Sequence, residues 1–283
     1  MLILNLNFWI NMIADMNKDL KARNNINRIG SGNQTIMFAH GYGCDQNMWR
    51  FITPAFEQEY DIVLFDHVGS GRSDDSAYKF DKYNSLKGYA DDIIELCDEM
   101  DLKNIIFVGH SVSSMIGALA AAGRPDLFQK LIMIGPSPCY INDAEYFGGF
   151  TKTDIDELVD TLESNYLGWS SFITPVIIGN PDKPEFAEEL NNSFCRMNPE
   201  IAKHFAKVTF LGDNRLDLPK VSTPSLIIQC HPDVIAPVKV GQYVSEKVQN
   251  GSYLQLEVTG HCPHLTAPDQ TIEALKSYIG HYN

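Results

Sequence analysis

Apolar residues along this chain occur in two patterns that alternate from its amino to its carboxyl end. Short continuous runs of β-branched, aliphatic and aromatic residues predict strands that are buried on both faces of a sheet. These predicted strands cover residues 35–39, 62–65, 105–108, 130–134, 225–229 and 253–258. Segments in which apolar residues recur at helical spacing, or in which small residues dominate, predict helices between the strands. These predicted helices cover residues 47–57, 85–100, 112–122, 238–248 and 270–279.

This alternation predicts an α/β fold in which a mostly parallel sheet is covered by helices on both faces. The alternation stops after Gly135-Pro136-Ser137-Pro138, and residues 140–213 contain no convincing strand. Four helical runs fit that segment instead, with Pro175 expected to kink or bound the second: residues 154–166, 169–178, 185–196 and 199–211. We interpret residues 140–213 as a helical lid inserted into one core, which is formed by residues 26–139 and 214–283.

The first residues match neither a membrane anchor nor a secretory signal. Residues 1–14 are largely apolar, but asparagines interrupt them and no basic segment precedes them. They are also shorter than the roughly 20 apolar residues that span a bilayer. We expect residues 1–25 to form an extension outside the core, with no stable membrane insertion. A loosely docked helix and a weak interfacial anchor are the alternatives.

Charge and cysteine content narrow the possible functions. The chain has 22 Lys and Arg against 36 Asp and Glu, and this net charge of −14 disfavours nucleic acid or anionic membranes as partners. Its six cysteines have no repeated spacing, which is typical of reduced thiols in a cytoplasmic protein. His261-Cys262-Pro263-His264 contains potential ligands, but no second cluster completes a metal site. We therefore expect no metal and no cofactor.

Residues 105–122 carry the clearest chemical signal in the chain. A strand of β-branched and aromatic residues changes to a helix of small residues within one or two positions of Ser111. Such a turn strains the backbone, exposes the hydroxyl and leaves the first helical N–H groups free. Gly71-Arg72-Ser73 has the same Gly-x-Ser pattern, but no small-residue helix follows it. We therefore predict that Ser111 is a nucleophile, with Ser113 as a tolerated replacement for the last glycine of Gly-x-Ser-x-Gly.

A serine nucleophile needs a base and a group that orients the base. Asp233 follows the strand that ends at residue 229, and His261 follows the strand that ends near residue 258. Both positions lie at the carboxyl ends of predicted strands, in the chain order Ser, Asp, His. Three other histidines compete for the base role. His261 is preferred to His264 because it is closer to the end of its strand. His231 precedes the acid in the chain, and the His110 side chain is expected to point away from the turn.

Two backbone amides are candidates for an oxyanion hole. Tyr42 lies in the turn His40-Gly41-Tyr42-Gly43, which lacks the third glycine and the Lys-Ser/Thr of a phosphate loop, and Val112 directly follows the nucleophile. The bulky apolar residues of the lid either form the lid's own core or line an apolar pocket. The candidate pocket residues are Tyr140, Trp169, Phe172 and His264, of which His264 has the alternative role of holding its loop.

These motifs resemble those of the α/β-hydrolase superfamily, and within it the RsbQ-like group, to which plant strigolactone and karrikin receptors are similar. The resemblance runs from about residue 26 to the carboxyl terminus, through the motifs Phe38-Ala39-His40-Gly41-Tyr42-Gly43-Cys44-Asp45-Gln46, Val63-Leu64-Phe65-Asp66, Val68-Gly69-Ser70-Gly71, Phe107-Val108-Gly109-His110-Ser111-Val112, Gly135-Pro136-Ser137-Pro138-Cys139-Tyr140, Tyr146-Phe147-Gly148-Gly149-Phe150 and Gly260-His261-Cys262-Pro263-His264. It implies the α/β-hydrolase fold with a four-helix lid, the same triad and the same oxyanion donors. Ser113 and about the first fifteen residues depart from the family pattern.

The resemblance also implies a function. It implies a carboxylesterase-like serine hydrolase acting on a small hydrophobic ester- or lactone-like molecule in RsbQ-like stress-response signalling, where a PP2C-type phosphatase that feeds sigma-B is the partner. The alternative is a ligand-binding receptor whose slow or single-turnover hydrolysis moves the lid and recruits a protein partner. A haloperoxidase or a C–C hydrolase on the same scaffold is a third reading. Fast multiple turnover favours the first function, and stoichiometric reaction favours the second.

Overall fold

The computed structural model describes residues 20–280, and a β-sheet forms its centre. Its strands are β1 (Asn27–Gly30), β2 (Gln34–Ala39), β3 (Tyr60–Leu64), β4 (Ile105–His110), β5 (Phe128–Ile134), β6 (Ser225–Cys230) and β7 (Gly251–Leu256). Within the described residues these strands form a 7-stranded sheet in the order β1-β3-β2-β4-β5-β6-β7. β1 is antiparallel to β3, and the other neighbouring pairs are parallel.

The six predicted strands are all present, and the predicted α/β class is confirmed. β1 is absent from the prediction because it is short, largely polar and mostly exposed at the edge of the sheet. The inner strands were recognisable because both of their faces are buried. In β2, for example, Met37 and Ala39 belong to one hydrophobic core, while Ile36 and Phe38 belong to a second core.

Helices cover this sheet and form the insertion between β5 and β6. They are α1 (Leu86–Glu99), α2 (Val112–Gly123), α3 (Lys152–Ser164), α4 (Tyr166–Ile178), α5 (Pro184–Arg196), α6 (Pro199–Phe210), α7 (Val238–Lys247), α8 (Pro263–Thr266) and α9 (Pro268–Gly280). The four helical runs predicted for the insertion are present as α3 to α6, which we call the lid. Pro175 lies inside α4 and does not end it.

The predicted helix over residues 47–57 is wrong. Two short 3₁₀ turns, Gln46–Trp49 and Thr53–Ala55, occupy that segment. Pro54 has no N–H to donate to a preceding turn, and this disfavours a continuous α-helix. The apolar residues that suggested a helix, Trp49 and Phe56 among them, are nevertheless buried in the second core.

The first described residues pack against the core. Leu20 belongs to the main hydrophobic cluster, and the Asn24 side-chain amide donates a hydrogen bond to the Asp66 carbonyl (3.0 Å). This corrects the predicted extension of residues 1–25, because residues 20–25 are held by apolar burial and hydrogen bonds. Residues 1–19 lie outside the described residues. Between residues 20 and 280, no helix has the length and apolar character that crossing a membrane requires.

Candidate active site

Ser111 occupies the sharp turn between the end of β4 and the start of α2. Its φ of 55° and ψ of −121° form a backbone conformation that residues other than glycine rarely adopt. The turn is held because the Ser111 N–H donates a hydrogen bond to the Ile134 carbonyl at the end of β5 (2.8 Å). Gly109 is needed two residues earlier, since a Cβ there would overlap the Ser113 carbonyl oxygen. This strand-to-helix turn fixes the serine hydroxyl at the carboxyl edge of the sheet.

Ser111, His261 and Asp233 form a continuous hydrogen-bonded chain at this edge. Ser111 Oγ lies 2.8 Å from His261 Nε2, and His261 Nδ1 lies 2.7 Å from Asp233 Oδ2. All three side chains are buried. A carboxylate only accepts hydrogen bonds, so the imidazole proton sits on Nδ1 and Nε2 is free to accept the serine proton. This arrangement can activate a serine oxygen as a nucleophile.

The Asp233 carboxylate is held by the loop that carries it. Its Oδ1 accepts hydrogen bonds from the amides of Ile235 (2.8 Å) and Ala236 (3.1 Å). Gln229 Nε2, at the end of β6, lies 3.3 Å from Oδ2. These donors satisfy the buried oxygens and fix the orientation of the carboxylate toward His261.

Two of the competing histidines are excluded as the base by their positions. His231 is exposed, and its Nδ1 lies 3.4 Å from Glu257 Oε2. His110 is buried, and its Nε2 donates a hydrogen bond to the carbonyl oxygen of His261 (2.8 Å). His110 therefore supports the backbone of His261 from behind and does not contact Ser111 Oγ through a hydrogen bond.

His264, the third competitor, is fully buried behind His261. Its ring packs against Trp49 and His110, with centroids 4.8 and 4.4 Å away, and it is not among the residues that line the cavity described below. Neither ring nitrogen has a hydrogen-bond partner in the described part of the chain. Burial lowers the pKa of His264 to about 3, so the ring is neutral near pH 7. The pocket role predicted for His264 is therefore wrong, and its packing fits the alternative of holding the loop.

His110, Cys262 and His264 bring potential metal-ligand atoms within 4.8 Å of one another. The group fits a metal poorly, because His110 Nε2 already donates to the His261 carbonyl. His110 Nδ1 faces Gly41, where an added Cβ would lie only 2.7 Å away. Burial also raises the pKa of the Cys262 thiol, whereas ligation needs the thiolate. We interpret these side chains as packing around the serine and histidine, with His264 behind them.

The turn that carries Tyr42 lies directly against Ser111. A Cβ on Gly41 would be 3.3 Å from the Ser111 Cβ. In residues 20–280, neither the Tyr42 amide nor the Val112 amide donates a hydrogen bond to a backbone carbonyl. The Val112 amide is free because it belongs to the first residue of α2. Two unpaired amides in the segments beside a serine hydroxyl are suited to bind a developing oxyanion.

A cavity of about 180 Å³ lies between this edge of the sheet and the lid. Ser111 and His261 form part of its wall, and every one of the four lid helices contributes to it. Most of the other lining side chains are apolar. The lining residues are Tyr42, Cys44, His110, Ser111, Tyr140, Phe150, Leu158, Ile173, Val176, Ile177, Leu190, Thr209, Phe210, Val234, Ile235, His261 and Cys262.

Of the predicted pocket residues, only Tyr140 lines this cavity. Burial raises the pKa of the Tyr140 phenol, so its hydroxyl stays protonated and can donate a hydrogen bond. Trp169 is buried in the lid instead, against Phe194 at a centroid distance of 5.5 Å. Phe172 is 72% exposed. The predictions for Trp169 and Phe172 are therefore wrong. Trp169 lies on the same face of α4 as Ile173 but one turn nearer the amino end, where it packs inside the lid, and Phe172 lies on an exposed face.

Sequence reasoning missed most of the cavity wall. Val234 and Ile235 were detectable in principle, because they directly follow the predicted acid at the end of β6. On α4, Ile173, Val176 and Ile177 have the spacing of one helical face. That spacing identifies a buried face, but the sequence does not show which partner the face packs against.

Comparison with known proteins agrees with this fold and site. Residues 34–203 match the family described as alpha/beta hydrolase fold. The chain is 39% identical over 258 residues to Karrikin insensitive 2 receptor CA of Petunia hybrida, covering 91% of this chain and 96% of that protein. It is 36% identical over 253 residues to Strigolactone esterase D14 of Arabidopsis thaliana, covering 89% of this chain and 94% of that protein.

Solved structures match the fold over most of the chain, with the lid included. A hydrolase from Oleispira antarctica matches with a TM-score of 0.91 and 41% identity, covering 94% of this chain and 97% of that chain. An esterase from Exiguobacterium antarcticum shares the fold, with a TM-score of 0.83 and 22% identity over 90% of this chain and 94% of that chain. The strand order, the serine turn and these matches lead to one conclusion: the chain belongs to the alpha/beta hydrolase fold family.

Proposed function

We propose that this chain is a serine hydrolase that cleaves the ester-type bond of a small hydrophobic ester- or lactone-like molecule. The observation that carries the proposal is the buried chain from Ser111 through His261 to Asp233, with spacings of 2.8 and 2.7 Å, at the wall of an apolar cavity. Relatives named Strigolactone esterase D14 and Karrikin insensitive 2 receptor CA support the proposal.

In the proposed reaction, His261 Nε2 takes the proton of Ser111 Oγ as that oxygen attacks the carbonyl carbon of the substrate. The carbonyl oxygen becomes an oxyanion, and the amides of Tyr42 and Val112 donate hydrogen bonds to it. Collapse of the tetrahedral intermediate breaks the ester C–O bond, and protonated His261 gives its proton to the leaving alkoxide. A water molecule deprotonated by His261 then attacks the acyl carbon, and the acyl C–O bond to Ser111 breaks as His261 returns the proton to Ser111 Oγ and the acid is released. Asp233 holds the imidazole in the required tautomer throughout.

The cavity limits the substrate class. Its volume of about 180 Å³ is below the roughly 300–1,000 Å³ of pockets that hold drug-sized ligands. The wall has few polar groups besides the reacting ones, and the Tyr140 hydroxyl is one of them. A charged substrate would lose its hydration there without a partner for its charge. These properties favour a compact, neutral and mostly apolar ester or lactone.

The second candidate function is a ligand receptor with slow or single-turnover hydrolysis. Relatives named as karrikin receptors, together with a relative named as a strigolactone esterase, favour this candidate. All four lid helices line the cavity, so an occupant contacts the elements that a partner protein would detect. An intact serine, histidine and acid serve both candidates, and the rate of turnover separates them.

We further propose that the output of the site is a signal, as the RsbQ-like motifs suggest. The partner in that reading is a PP2C-type phosphatase that feeds sigma-B, in a cytoplasmic stress response. The stretch from Gly135 to Tyr140 and the stretch from Gly260 to His264 support it, because both belong to the motifs that resemble the group. The excess of acidic residues agrees with a protein partner and disfavours nucleic acid.

The test is covalent labelling followed by mass spectrometry. Wild-type protein is exposed to a fluorophosphonate and, separately, to p-nitrophenyl acetate, beside Ser111→Ala and His261→Ala. We expect a persistent fluorophosphonate adduct on Ser111 in the wild type, no adduct in Ser111→Ala and strongly slowed labelling in His261→Ala, while p-nitrophenyl acetate reports turnover. His231→Gln is the matched control, since this exposed histidine lies outside the hydrogen-bonded chain, and it should label like the wild type.

The same samples separate the two candidates. Many turnovers per site with p-nitrophenyl acetate, and no stable acyl adduct at steady state, support the hydrolase. A single burst equal to the protein concentration, followed by a persistent adduct, supports the receptor. Failure of folded wild-type protein to label at Ser111 contradicts the proposed chemistry in both forms.

A further inference from the structure

Ser113 stands where the nucleophile turn usually has glycine, and its side chain is fully buried. Its hydroxyl donates a hydrogen bond to the carbonyl oxygen of His40 and lies 2.6 Å from His67 Nε2. We propose that Ser113 and His67 are positioning residues for the oxyanion hole. They fix the separation between α2 and the turn that carries Tyr42. This inference rests on the proposed hydrolase function.

The hydrogen-bond directions in this cluster are determined by valence. The single Ser113 hydroxyl proton points to the His40 carbonyl, so the serine oxygen must accept from His67 Nε2–H. Burial lowers the pKa of His67, so the ring carries one proton, and this contact places it on Nε2. The His67 backbone amide in turn donates to His40 Nε2 (3.1 Å). His40 therefore carries its own proton on Nδ1.

The proton on His40 Nδ1 forms a hydrogen bond to the peptide group that carries the Tyr42 N–H. His40 Nδ1 donates to the Gly41 carbonyl oxygen (2.8 Å), which also accepts from the Cys44 amide (3.2 Å). The Gly41 carbonyl and the Tyr42 N–H belong to the same peptide group. Because a trans peptide is planar, fixing its carbonyl direction fixes its N–H in the opposite direction. The network thus aims the amide that would hold the oxyanion.

Ser113 connects this turn to the second donor. It follows Val112 directly at the start of α2, and its hydroxyl donates a hydrogen bond to the His40–Gly41 peptide group, which is adjacent to the Gly41–Tyr42 peptide group. The two proposed oxyanion donors come from different segments of the chain, and Ser113 provides a direct side-chain link between these segments. Glycine at position 113 would provide the same backbone without this link.

The network is closed to water, so solvent has no easy route to replace a lost partner. Ser113, His40 and His67 are each buried to 1% exposure or less. The His67 ring is surrounded by the rings of Phe65 and Tyr89, with centroids 5.3 and 5.7 Å away. Removing the Ser113 hydroxyl leaves the His40 carbonyl and the His67 N–H without that partner, and we expect the turn to relax.

The test uses Ser113→Ala and His67→Phe, with Ser225→Ala as the matched control. Ser225 is an equally buried serine whose hydroxyl donates to the Thr223 carbonyl, at the amino end of β6 and away from the site. His67→Phe keeps an aromatic ring among aromatic neighbours and leaves the Ser113–His40 hydrogen bond in place. Folding of each variant is checked by thermal unfolding and near-UV circular dichroism.

Each folded variant is assayed for kcat and KM with p-nitrophenyl acetate and for binding of n-butylboronic acid, which forms a tetrahedral adduct with a serine oxygen. We expect Ser113→Ala to lower kcat about 10-fold with KM little changed, since loss of a whole oxyanion donor typically costs about 10²–10³. The affinity for the boronic acid should fall by the same factor as kcat. His67→Phe should show a smaller loss of both, and Ser225→Ala should change neither.

The pH profile of kcat/KM should keep its shape in Ser113→Ala, because His261 and Asp233 are untouched. Equal kcat and equal boronic acid affinity in folded Ser113→Ala would overturn the inference. If Ser113→Ala does not fold, the same equality in His67→Phe overturns it. A drop in melting temperature alone, without these kinetic changes, also overturns it. Failure of the wild type to label at Ser111 contradicts the hydrolase itself and is seen before any variant is compared.

Discussion

The Tyr42 hydroxyl donates a hydrogen bond of 2.9 Å to the carbonyl oxygen of Ala202 on lid helix α6. The same residue supplies the backbone amide proposed for the oxyanion hole. Its ring packs edge-on against Phe194 of α5 and Phe205 of α6, with centroids 5.2 and 5.5 Å away. Tyr42 therefore links the lid to the segment beside Ser111, and we expect a change in lid position to act on the proposed oxyanion donor.

Tyr42→Phe tests this link. The substitution keeps the ring and the amide but removes the hydroxyl, and loss of a buried hydrogen bond costs about 1–3 kcal/mol. We expect a lower melting temperature, faster hydrogen exchange in α6 and a loss of kcat below about 10-fold, because the oxyanion donor itself remains. Hydrogen exchange followed by mass spectrometry over residues 199–210, with esterase kinetics, measures both effects.

Ser170→Ala is the control for that variant. The Ser170 hydroxyl is buried, outside the cavity wall, and lies 2.9 Å from the Leu167 carbonyl oxygen and 3.0 Å from Asn191 Oδ1, so all its partners belong to the lid. It should lower the melting temperature to a similar extent and leave kcat unchanged. An equal loss of kcat in both variants would mean that general lid stability, and not the Tyr42 link, controls turnover.

The strands could be predicted from the sequence where burial on both faces makes every residue apolar. The inner strands are apolar along their whole length because both faces are covered, so they stand out in the sequence. Strand β1 lacks that pattern, since it is exposed and polar at the edge. Residues 47–57 carry helical spacing, yet Pro54 lies in the segment and two short turns bury the same side chains.

The site was predictable where topology decides it. Ser111, Asp233 and His261 each follow a strand, and parallel strands bring their carboxyl ends to one edge, so their proximity follows from chain order. The cavity wall depends instead on how the lid helices rotate against the core. Trp169 and Phe172 were chosen for their bulk. Bulk does not reveal that Phe172 is exposed, or that Trp169, one turn before Ile173 on the same face of α4, packs inside the lid.

Backbone strain at Ser111 can be measured with two substitutions. Both Ser111→Ala and Ser111→Gly remove the hydroxyl, so neither should transfer an acyl group. The φ of 55° at this position is unfavourable for alanine and accessible to glycine. We expect Ser111→Gly to be more stable than Ser111→Ala by about 1 kcal/mol, measured by urea unfolding.

The matched pair for this comparison is Ser114→Ala and Ser114→Gly. Ser114 is buried in the first turn of α2, where the backbone is helical and glycine is less stable than alanine by up to about 1 kcal/mol. The order of stability should therefore reverse between the two positions. The same order at both positions would show that the turn at Ser111 stores no strain specific to its backbone conformation.

The cavity wall makes a prediction about substrate length. Ile173 and Phe172 are neighbours on α4, but only Ile173 lines the cavity. Ile173→Ala enlarges the apolar space, and each additional buried methylene contributes about 0.8 kcal/mol. We expect the ratio of kcat/KM for p-nitrophenyl butyrate over p-nitrophenyl acetate to rise about 10-fold in Ile173→Ala.

Phe172→Ala provides the control on the same helix. Phe172 is 72% exposed, so its truncation should leave the ratio of the two substrates unchanged. A similar rise in both variants would mean that loosening of α4, and not cavity volume, sets the preference. No rise in Ile173→Ala would mean that the acyl group does not occupy the space near this residue.

The buried His264 predicts a specific dependence of stability on pH. Its pKa is lowered from 6.5 to about 3, first by burial and then by the nearby His261 and Arg50. His110 also packs against its ring, and burial likewise lowers the pKa of His110. Below pH 6.5 the unfolded chain binds a proton at His264 that the folded chain does not bind. The free energy of unfolding should therefore decrease as the pH falls from about 6.5 toward 3, by up to about 1.4 kcal/mol per pH unit for each such proton.

His264→Phe removes this proton while keeping a ring against Trp49. Both ring nitrogens of His264 lack a partner in the described residues, so the substitution leaves no broken hydrogen bond there. Near pH 7.5 we expect the variant to lose little stability, because His264 is neutral at that pH in both the folded and the unfolded wild-type chain. Between pH 6 and 5, urea unfolding should show a slope against pH that is smaller by about one proton than in the wild type. An unchanged slope would mean that His264 is protonated equally in the folded and unfolded chains, which contradicts the effect of burial.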